Sequence, residues 1–396
     1  MGRKPFLIPM QGLYQLLLYN ESMLKAYRYE LRPTDDQTQR MNQIIGNVRF
    51  VYNWALETKT KEYQQTGQSP SCFELMRRLT ELKKEHDWLE LAPIHSMQKA
   101  ITRLDASFSS FFSKKGDYPK FKSRKDIKQS FQIPDKTHIT VDFNTWVVKL
   151  PKLHKVSFNR DRMFEGEIRQ ATVSRTPTGR FFISILVEDG KDMPEKTSYS
   201  EKNSVGIDVG LKSFAVTSDG VVIEHPKHLE KSLKRLRVEQ RRLQRKTKGG
   251  KNREKQRLIV ARMHEKVANQ RKDFLHKLST AIAKQYVGVC VEDLNVKGMM
   301  KNHNLARHIG QSGWSEFKSF LKYKLEHNGG SLVEIGRFDP SSKTCHQCGI
   351  INQGLQLRDR TWICPSCNSI IDRDFNAALN IKLFGLRTHP FGVKAI

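Results

Sequence analysis

An α+β chain of several domains is what this sequence predicts, on three observations. Apolar residues recur at helical spacing from Met41 to about Phe112. Short alternating runs punctuated by Gly and Pro fill residues 114–200. Beyond 200, apolar strands that each carry an acid are separated by a long polar helical stretch and followed by two Cys-x2-Cys pairs. A length of 396 residues allows two or three domains, each with its own core.

Taken in order, residues 1–22 read as a leader extension, with Met23 as an alternative start. The stretch resembles a signal peptide, but Pro9, Gln11, Gly12 and Gln15 interrupt its apolar run and no small-residue cleavage site follows. Residues 23–33 hold a first strand (KAYRYEL, 25–31) that Pro33 ends. Thr34 and Gln37 have capping-box spacing, and Met41, Ile44, Ile45, Val48, Val51, Tyr52 and Ala55 mark the buried face of the helix they open. The helical region is expected over 34–113 and a β-rich domain over 114–200. Runs such as HITVD, WVVKL and FFISILVED supply the strands of the latter. At its start, KKGDYPKFKSRKDIKQSF interleaves basic groups with aromatics, which makes Tyr118, Lys120 and Lys122 candidate nucleic-acid contacts. A solvated loop is the plainer alternative.

The last domain, 201–396, is expected to hold two strands around a Gly-flanked turn inside 204–224, then YVGVCVEDL at 286–294 and SLVEIG at 331–336. Between 204–224 and YVGVCVEDL lies a basic helical insert, 225–285. From Lys227 to Lys277 there are 19 basic and 5 acidic residues, so i,i+4 pairing cannot neutralise the face. KTKGGKN (246–252) marks the tip between two helices. Lys234, Arg235, Arg241, Arg242, Arg245, Lys248 and Lys251 are the candidate phosphate contacts there.

The chain carries 69 Lys and Arg against 41 Asp and Glu, a net charge of +28. An excess of that size points to an anionic polymer, because each neutralised phosphate releases a counterion. A generally basic surface of the ribosomal-protein kind is the alternative. No run of 18 apolar residues exists, so no transmembrane helix and no membrane partner are expected.

Four of the six cysteines form Cys345-His-Gln-Cys348 and Cys364-Pro-Ser-Cys367, with 15 residues between the pairs. That is metal spacing within 340–370, and four thiolates without an open position describe a structural Zn2+. Gly349 suits the first knuckle's turn, and Asn368, where glycine is common, also tolerates left-handed geometry. Cys72 and Cys290 read as ordinary buried thiols. The absence of a disulfide pattern points to a reducing cytoplasm.

Three acids stand in unusual places. Asp208 lies within the apolar GIDVG, Glu292 ends VCVE, and Asp374 lies in DRDFNAALNI where a helix begins. An acid in an apolar strand is costly unless it binds something. Three such acids form a constellation fit for Mg2+, expected as two ions about 3.5–4 Å apart. The glycines around Asp208 are read as room for a metal or phosphate. Asp293 faces away from Glu292 if the strand persists. Periodicity leaves Asp372 and Asp374 interchangeable.

The phrases GIDVG, VEDLN, PSSKTC with CxxCG and CPxC, and DRDFNAALNI resemble the transposon-encoded TnpB proteins, compact relatives of type V CRISPR effectors. RFVYNWAL (49–56), GDYPKFK (116–122) and the Gly313-Trp314 helix start extend the resemblance over roughly 23–385. It implies an RNase H-like RuvC nuclease core with a zinc ribbon insert, a helical recognition lobe and a β-barrel wedge domain. It implies a noncoding guide RNA, target DNA, and a short target-adjacent motif read by the protein. Carried over by position, the catalytic acids are Asp208, Glu292 and Asp374, the last being favoured over Asp372 because it stands two residues before the Asn of NAA. The zinc ligands are Cys345, Cys348, Cys364 and Cys367. The expected activity is RNA-guided, Mg2+-dependent cleavage of double-stranded DNA; a non-cleaving repressor and a DNA transposase are the rivals. The leader, Asn368 and the tail after Leu386 depart from the pattern.

Overall fold

The structure is a computed structural model, and it describes residues 22–302, 305–356 and 358–388. Apart from Ser22, the leader lies outside the described residues. The chain forms two compact units that divide at Asp192.

In the first unit, strand β1 (Ser22–Arg32) is followed by helices α1 (Asp35–Thr66), α2 (Cys72–Glu85) and α3 (Ile94–Phe112). Six strands follow: β2 (Gln129–Ile133), β3 (Thr140–Asp142), β4 (Val147–Leu150), β5 (His154–Phe158), β6 (Glu167–Arg175) and β7 (Phe181–Asp192). The capping box forms: Gln37 N donates to Thr34 Oγ1 at 3.3 Å, and Thr34 N donates to Gln37 Oε1 at 3.1 Å. The strands make one antiparallel sheet in the order β2-β6-β7-β1-β5-β4-β3. The first strand therefore sits inside the sheet, beside β7 and β5. Helices and sheet share a single core instead of closing separately. Met41, Ile44, Leu75, Leu79, Met97 and Ile101 from the helices pack with Phe131, Val173, Phe181 and Ile183 from the strands.

The second unit is built on a five-stranded sheet. Its strands are β8 (Ser204–Val209), β9 (Ala215–Thr217), β10 (Val222–Ile223), β11 (Gly288–Glu292) and β12 (Ser331–Ile335), in the order β10-β9-β8-β11-β12. β8, β11 and β12 run parallel, while β9 and β10 are antiparallel to their neighbours. This is the RNase H-like arrangement. Helices α4 (Lys227–Gln244) and α5 (Lys251–Gln285) separate β10 from β11; α6 (Val296–Met299), α7 (Ala306–Ser312) and α8 (Trp314–His327) separate β11 from β12. A two-stranded ribbon, β13 (Thr361–Ile363) and β14 (Ile370–Asp372), runs into the final helix α9 (Arg373–Thr388).

Both faces of the parallel strands are covered, which is why they read as nearly continuous apolar runs. One face buries Val205, Ile207, Val289 and Val291 against Leu275, Ile282, Phe317 and Leu321 of α5 and α8. The other buries Cys290 and Val333 against Ile381 of α9. Strand alternation then puts Gly206, Asp208, Cys290 and Glu292 on the α9 face. The glycine reading changes here. A Cβ on Gly206 would meet Ala378 O at 2.1 Å and Lys382 N at 2.6 Å, so this residue admits the backbone of α9, not a ligand. Of the two lone cysteines, Cys290 is fully buried and Cys72 is half-buried.

Candidate catalytic and metal sites

β8 and β11 are paired in parallel, and the pairing brings Asp208 and Glu292 to neighbouring strand ends on one face of the sheet. α9 crosses that face and supplies Asp374 from its first turn. The helix can start there because Asp372 Oδ1 accepts the Phe375 N–H at 2.9 Å, an N-cap bond. Asp372 is exposed and occupied by capping, whereas Asp374 is half-buried beside the sheet. Of these two acids one caps the helix, and the charge of the other is felt at Asp208.

Asp208 senses the other two acids. Burial, then the Glu292 carboxylate, then that of Asp374, push the Asp208 carboxyl well above the usual carboxylate range; Arg373 and Arg360 oppose this more weakly. The three carboxylates do not all lie within 4.8 Å of one another, unlike the four thiols below. Asp293, one residue past Glu292, is an ion-pair acid: its Oδ2 lies 2.6 Å from Arg337 Nη2 and its Oδ1 3.9 Å from Lys318 Nζ.

Neighbouring side chains that the sequence reading did not single out hold this arrangement. The buried Ser341 donates its hydroxyl to Glu292 Oε1. Arg360 Nη1 donates to Asp374 Oδ1 at 3.3 Å. Arg373 is buried and donates to Gln356 O at 2.6 Å, tying the loop before β13 to the start of α9. The asparagines of NAALN are hydrogen-bonded to the loop that leads into the first cysteine pair. Asn376 accepts from His346 N at 2.9 Å and donates to Thr344 O at 2.7 Å. Asn380, one turn on, donates to Ser341 O at 2.7 Å and Thr344 O at 2.6 Å. Residues 341–346, which lead into the first cysteine pair, are thus lashed to the helix that carries Asp374. The only advance signal was Asn at i and i+4 on a helix otherwise lined by Ala and Ile.

The cysteines gather as their spacing predicts. All four Sγ atoms lie within 4.8 Å of one another. Cys345–Cys367 and Cys348–Cys364 are 3.6 and 3.5 Å apart. Each knuckle closes alike: Gly349 N donates to Cys345 O at 2.8 Å, and Asn368 N donates to Cys364 O at 3.0 Å. Gly349 and Asn368 both take left-handed backbone, with φ of 76° and 56°. The Ser369 hydroxyl and amide hold the Cys367 thiol down at about 6, whereas burial pushes Cys345 up to about 12. Leu355, Trp362 and Ile371 complete a small apolar core around Cys345 and Cys364.

The basic insert is a helical hairpin. Leu229, Leu236, Val260 and Val267 form its narrow core. Arg253 Nη1 donates to Leu243 O at 2.7 Å and Lys246 O at 2.8 Å, closing the end of α4. Lys234, Arg235, Arg241, Arg242, Arg245, Lys248 and Lys251 are all exposed, although Arg242 also pairs with the buried Glu239 at 2.9 Å.

In the first unit the aromatic–basic segment divides. Lys120 is exposed. Lys122 turns inward, with Nζ 3.7 Å from the centre of the Tyr52 ring, and burial lowers its ammonium to about 8. Tyr118 is 45% exposed and packs edge-on against Phe108 and Phe111, at 5.5 and 5.3 Å. Lys122 instead lines a cleft with Arg49, Lys99, Arg103 and Lys128, opposed by Asp126. Alternation of Lys with aromatics could not show that these cations, 79 positions apart at the extremes, converge.

An RNase H-like sheet with three converging acids, a four-thiol ribbon and a basic helical hairpin gives this chain the architecture of a compact nucleic-acid enzyme. Family models match three stretches: "Probable transposase" over residues 184–303, "Cas12f1-like, TNB domain" over 314–381 and "Helix-turn-helix domain" over 23–68. Within 23–68 the structure has one strand and a single long helix, α1. A Streptomyces pristinaespiralis protein named "Putative RNA-guided DNA endonuclease" is 36% identical over 94% of this chain and 92% of its own length. The Escherichia coli K12 protein "Putative RNA-guided DNA endonuclease InsQ" is 30% identical over 91% of this chain and 92% of its own. The solved structure "Cryo-EM structure of the Cas12f1-sgRNA-target DNA complex" matches with a TM-score of 0.55 at 15% identity, covering 91% of this chain and 99% of that one, which is a likeness of fold. The chain belongs to the TnpB family.

Proposed function

We propose that this chain is a transposon-associated, RNA-guided endonuclease that hydrolyses double-stranded DNA beside a short target-adjacent motif. The observation that carries this reading is the convergence of Asp208, Glu292 and Asp374 from two parallel strands and one helix onto one sheet face. Full-length relatives named for the same activity support it.

The donor set fits a hard cation. It consists of carboxylate oxygens, and Asp208 is raised first by burial and then by the neighbouring Glu292 and Asp374 carboxylates. In this reading Asp208, Glu292 and Asp374 hold Mg2+, expected as two ions, which would activate water and stabilise the leaving oxygen of the phosphodiester. The chain's own contribution is orientation. Ser341 fixes the rotamer of Glu292, Arg360 steadies Asp374, and the cap at Asp372 sets the angle at which α9 meets the sheet. Arg360 also places a guanidinium beside the acids, where an incoming phosphate would meet it.

Cys345, Cys348, Cys364 and Cys367 fit Zn2+. A tetrahedral ion with Zn–S bonds of about 2.3 Å sets its sulfurs about 3.8 Å apart, close to the 3.5 and 3.6 Å separations here. Its part is structural: it would hold the loop whose residues touch Glu292 and α9.

The exposed cations of α4 and α5 suit the backbone of a guide–target duplex, which is recognised by phosphate geometry while base pairing reads sequence. The cationic cleft around Arg49 and Arg103 suits a further phosphate. No helix among the described residues is long and apolar enough to cross a membrane; a cytoplasmic setting rests on the reduced-thiol chemistry of the cysteine cluster.

Sequencing the RNA that copurifies with the expressed chain, then assaying cleavage of a matching DNA, tests the proposal. A defined RNA with one variable end, and Mg2+-dependent cutting lost in Asp208→Ala with RNA binding retained, is the expected result. Unchanged cutting by Asp208→Ala would remove these acids from the reaction. Strand-joined products would favour a transposase.

A further inference from the structure

The first unit holds a third constellation of metal-ligand type, remote in sequence from the acids and the cysteines. His95 stands at the start of α3, and Asp135 caps and His138 ends the single 3-10 turn Lys136–His138 that follows β2. One ligand atom from each of the three lies within 4.8 Å of the other two. The two imidazole rings are stacked, 5.7 Å apart and inclined by 27°.

The carboxylate between them is prepared. Thr137 N and Thr137 Oγ1 both donate to Asp135 Oδ1, at 2.9 and 2.7 Å, which favours its ionised form and leaves Oδ2 toward His138. The distance from His138 Nε2 to that Oδ2 is 3.6 Å. This is too long for a hydrogen bond. It is close to the roughly 3.4 Å that separates two ligands about 2.1 Å from one tetrahedral ion. The adjacent Lys136 is engaged elsewhere, its Nζ pairing with Glu167. Three donors on two separate elements, with a solvent-facing side open for water, make a two-histidine, one-carboxylate set. Imidazole nitrogen selects late first-row divalent ions over Mg2+ or Ca2+.

We propose that His95, Asp135 and His138 bind one divalent transition-metal ion of the Zn2+ or Ni2+ type, which clips the first turn of α3 to the turn after β2. This site is independent of the nuclease reading, and the test keeps it so. Full-length protein already loaded with Zn2+ at its cysteines is titrated with Ni2+ by calorimetry. His138→Ala, His95→Gln and Asp135→Asn are titrated alongside, after circular dichroism has shown each to be folded. The wild type should take up one equivalent of Ni2+ more than either histidine variant, and Asp135→Asn should bind that equivalent at least tenfold more weakly. Since all four proteins keep Asp208, Glu292 and Asp374, binding there cancels in the difference. The same stoichiometry and affinity in the wild type and all three variants would overturn the proposal.

Discussion

Gly206→Ala is a sharp probe of the centre because its effect is purely steric. Gly206 lies where α9 crosses β8, two residues before Asp208, and its backbone is not left-handed, so the substitution adds volume without backbone strain. The new methyl would stand 2.1 Å from Ala378 O, 2.6 Å from Lys382 N and 2.8 Å from Lys382 Cβ, whereas ordinary contact begins at 3.4 Å. Two of these three neighbours are helix backbone, so no side-chain rotation relieves the clash. The helix must lift by roughly 1 Å, and overpacking of this kind costs about 1–3 kcal/mol. For a unit of this size that is a fall in Tm of roughly 2–4 °C per kcal/mol. The lifted helix carries Asp374 with it, and a misplacement of about 1 Å in a catalytic group can cost about 100-fold in rate. Single-turnover cleavage with saturating guide RNA, beside thermal melting and RNA binding, reads all three quantities. The expected outcome is a modest loss of stability, roughly a 100-fold loss of cutting and unchanged RNA affinity. An alanine variant that melts and cuts like the wild type would refute the account of how α9 is seated.

Two further predictions concern the acids. Asp208 is held above the usual carboxylate range by burial and by Glu292 and Asp374, so without divalent cations the native state keeps a proton that the unfolded chain has lost above about pH 3.9. Stability should then fall as pH rises through the raised native value. In Mg2+-free buffer Asp208→Asn should flatten that slope and be more stable than wild type at neutral pH; superimposable pH–stability curves would contradict the clustering. Ser341→Ala removes the hydroxyl that holds Glu292, and loss of such a supporting bond typically costs about 10–100-fold in metal affinity or activity. The Mg2+ concentration for half-maximal cleavage should rise accordingly, and an unmoved midpoint would show that Glu292 needs no such support.

Much of this architecture was legible because its signals are local. Thr34 and Gln37 are three residues apart and make the expected box. Each cysteine pair closes its own turn, and the acids stand out against apolar neighbours within a few positions. What sequence could not show was pairing at a distance. Ser341 and Glu292 are 49 positions apart, and His346 and Asn376 are 30 apart. Neither Ser nor Asn is unusual where it stands. Charge was a poor guide to direction. Lys122 reads as a surface cation, yet desolvation over the Tyr52 ring is tolerated because a π-face replaces part of its hydration. In sequence Gly206 suggests space for a ligand, whereas the occupant is α9. A glycine reports that something approaches closely, and only the fold says what.

The position of the ribbon in the chain has a mechanical consequence. Glu292 is held by Ser341, whose own carbonyl is held by Asn380. Asp374 rides on the helix that bears Asn376 and Asn380, and both asparagines grip Thr344 O, next to Cys345. The four-thiol cluster fixes that loop from the other side. Opening the cluster would release restraints on Glu292 and Asp374 together, while Asp208, set in β8 between β9 and β11, would keep its place. A ribbon built only for local stability would need no such contacts with α9; a ribbon that sets two of three acids against a third requires them.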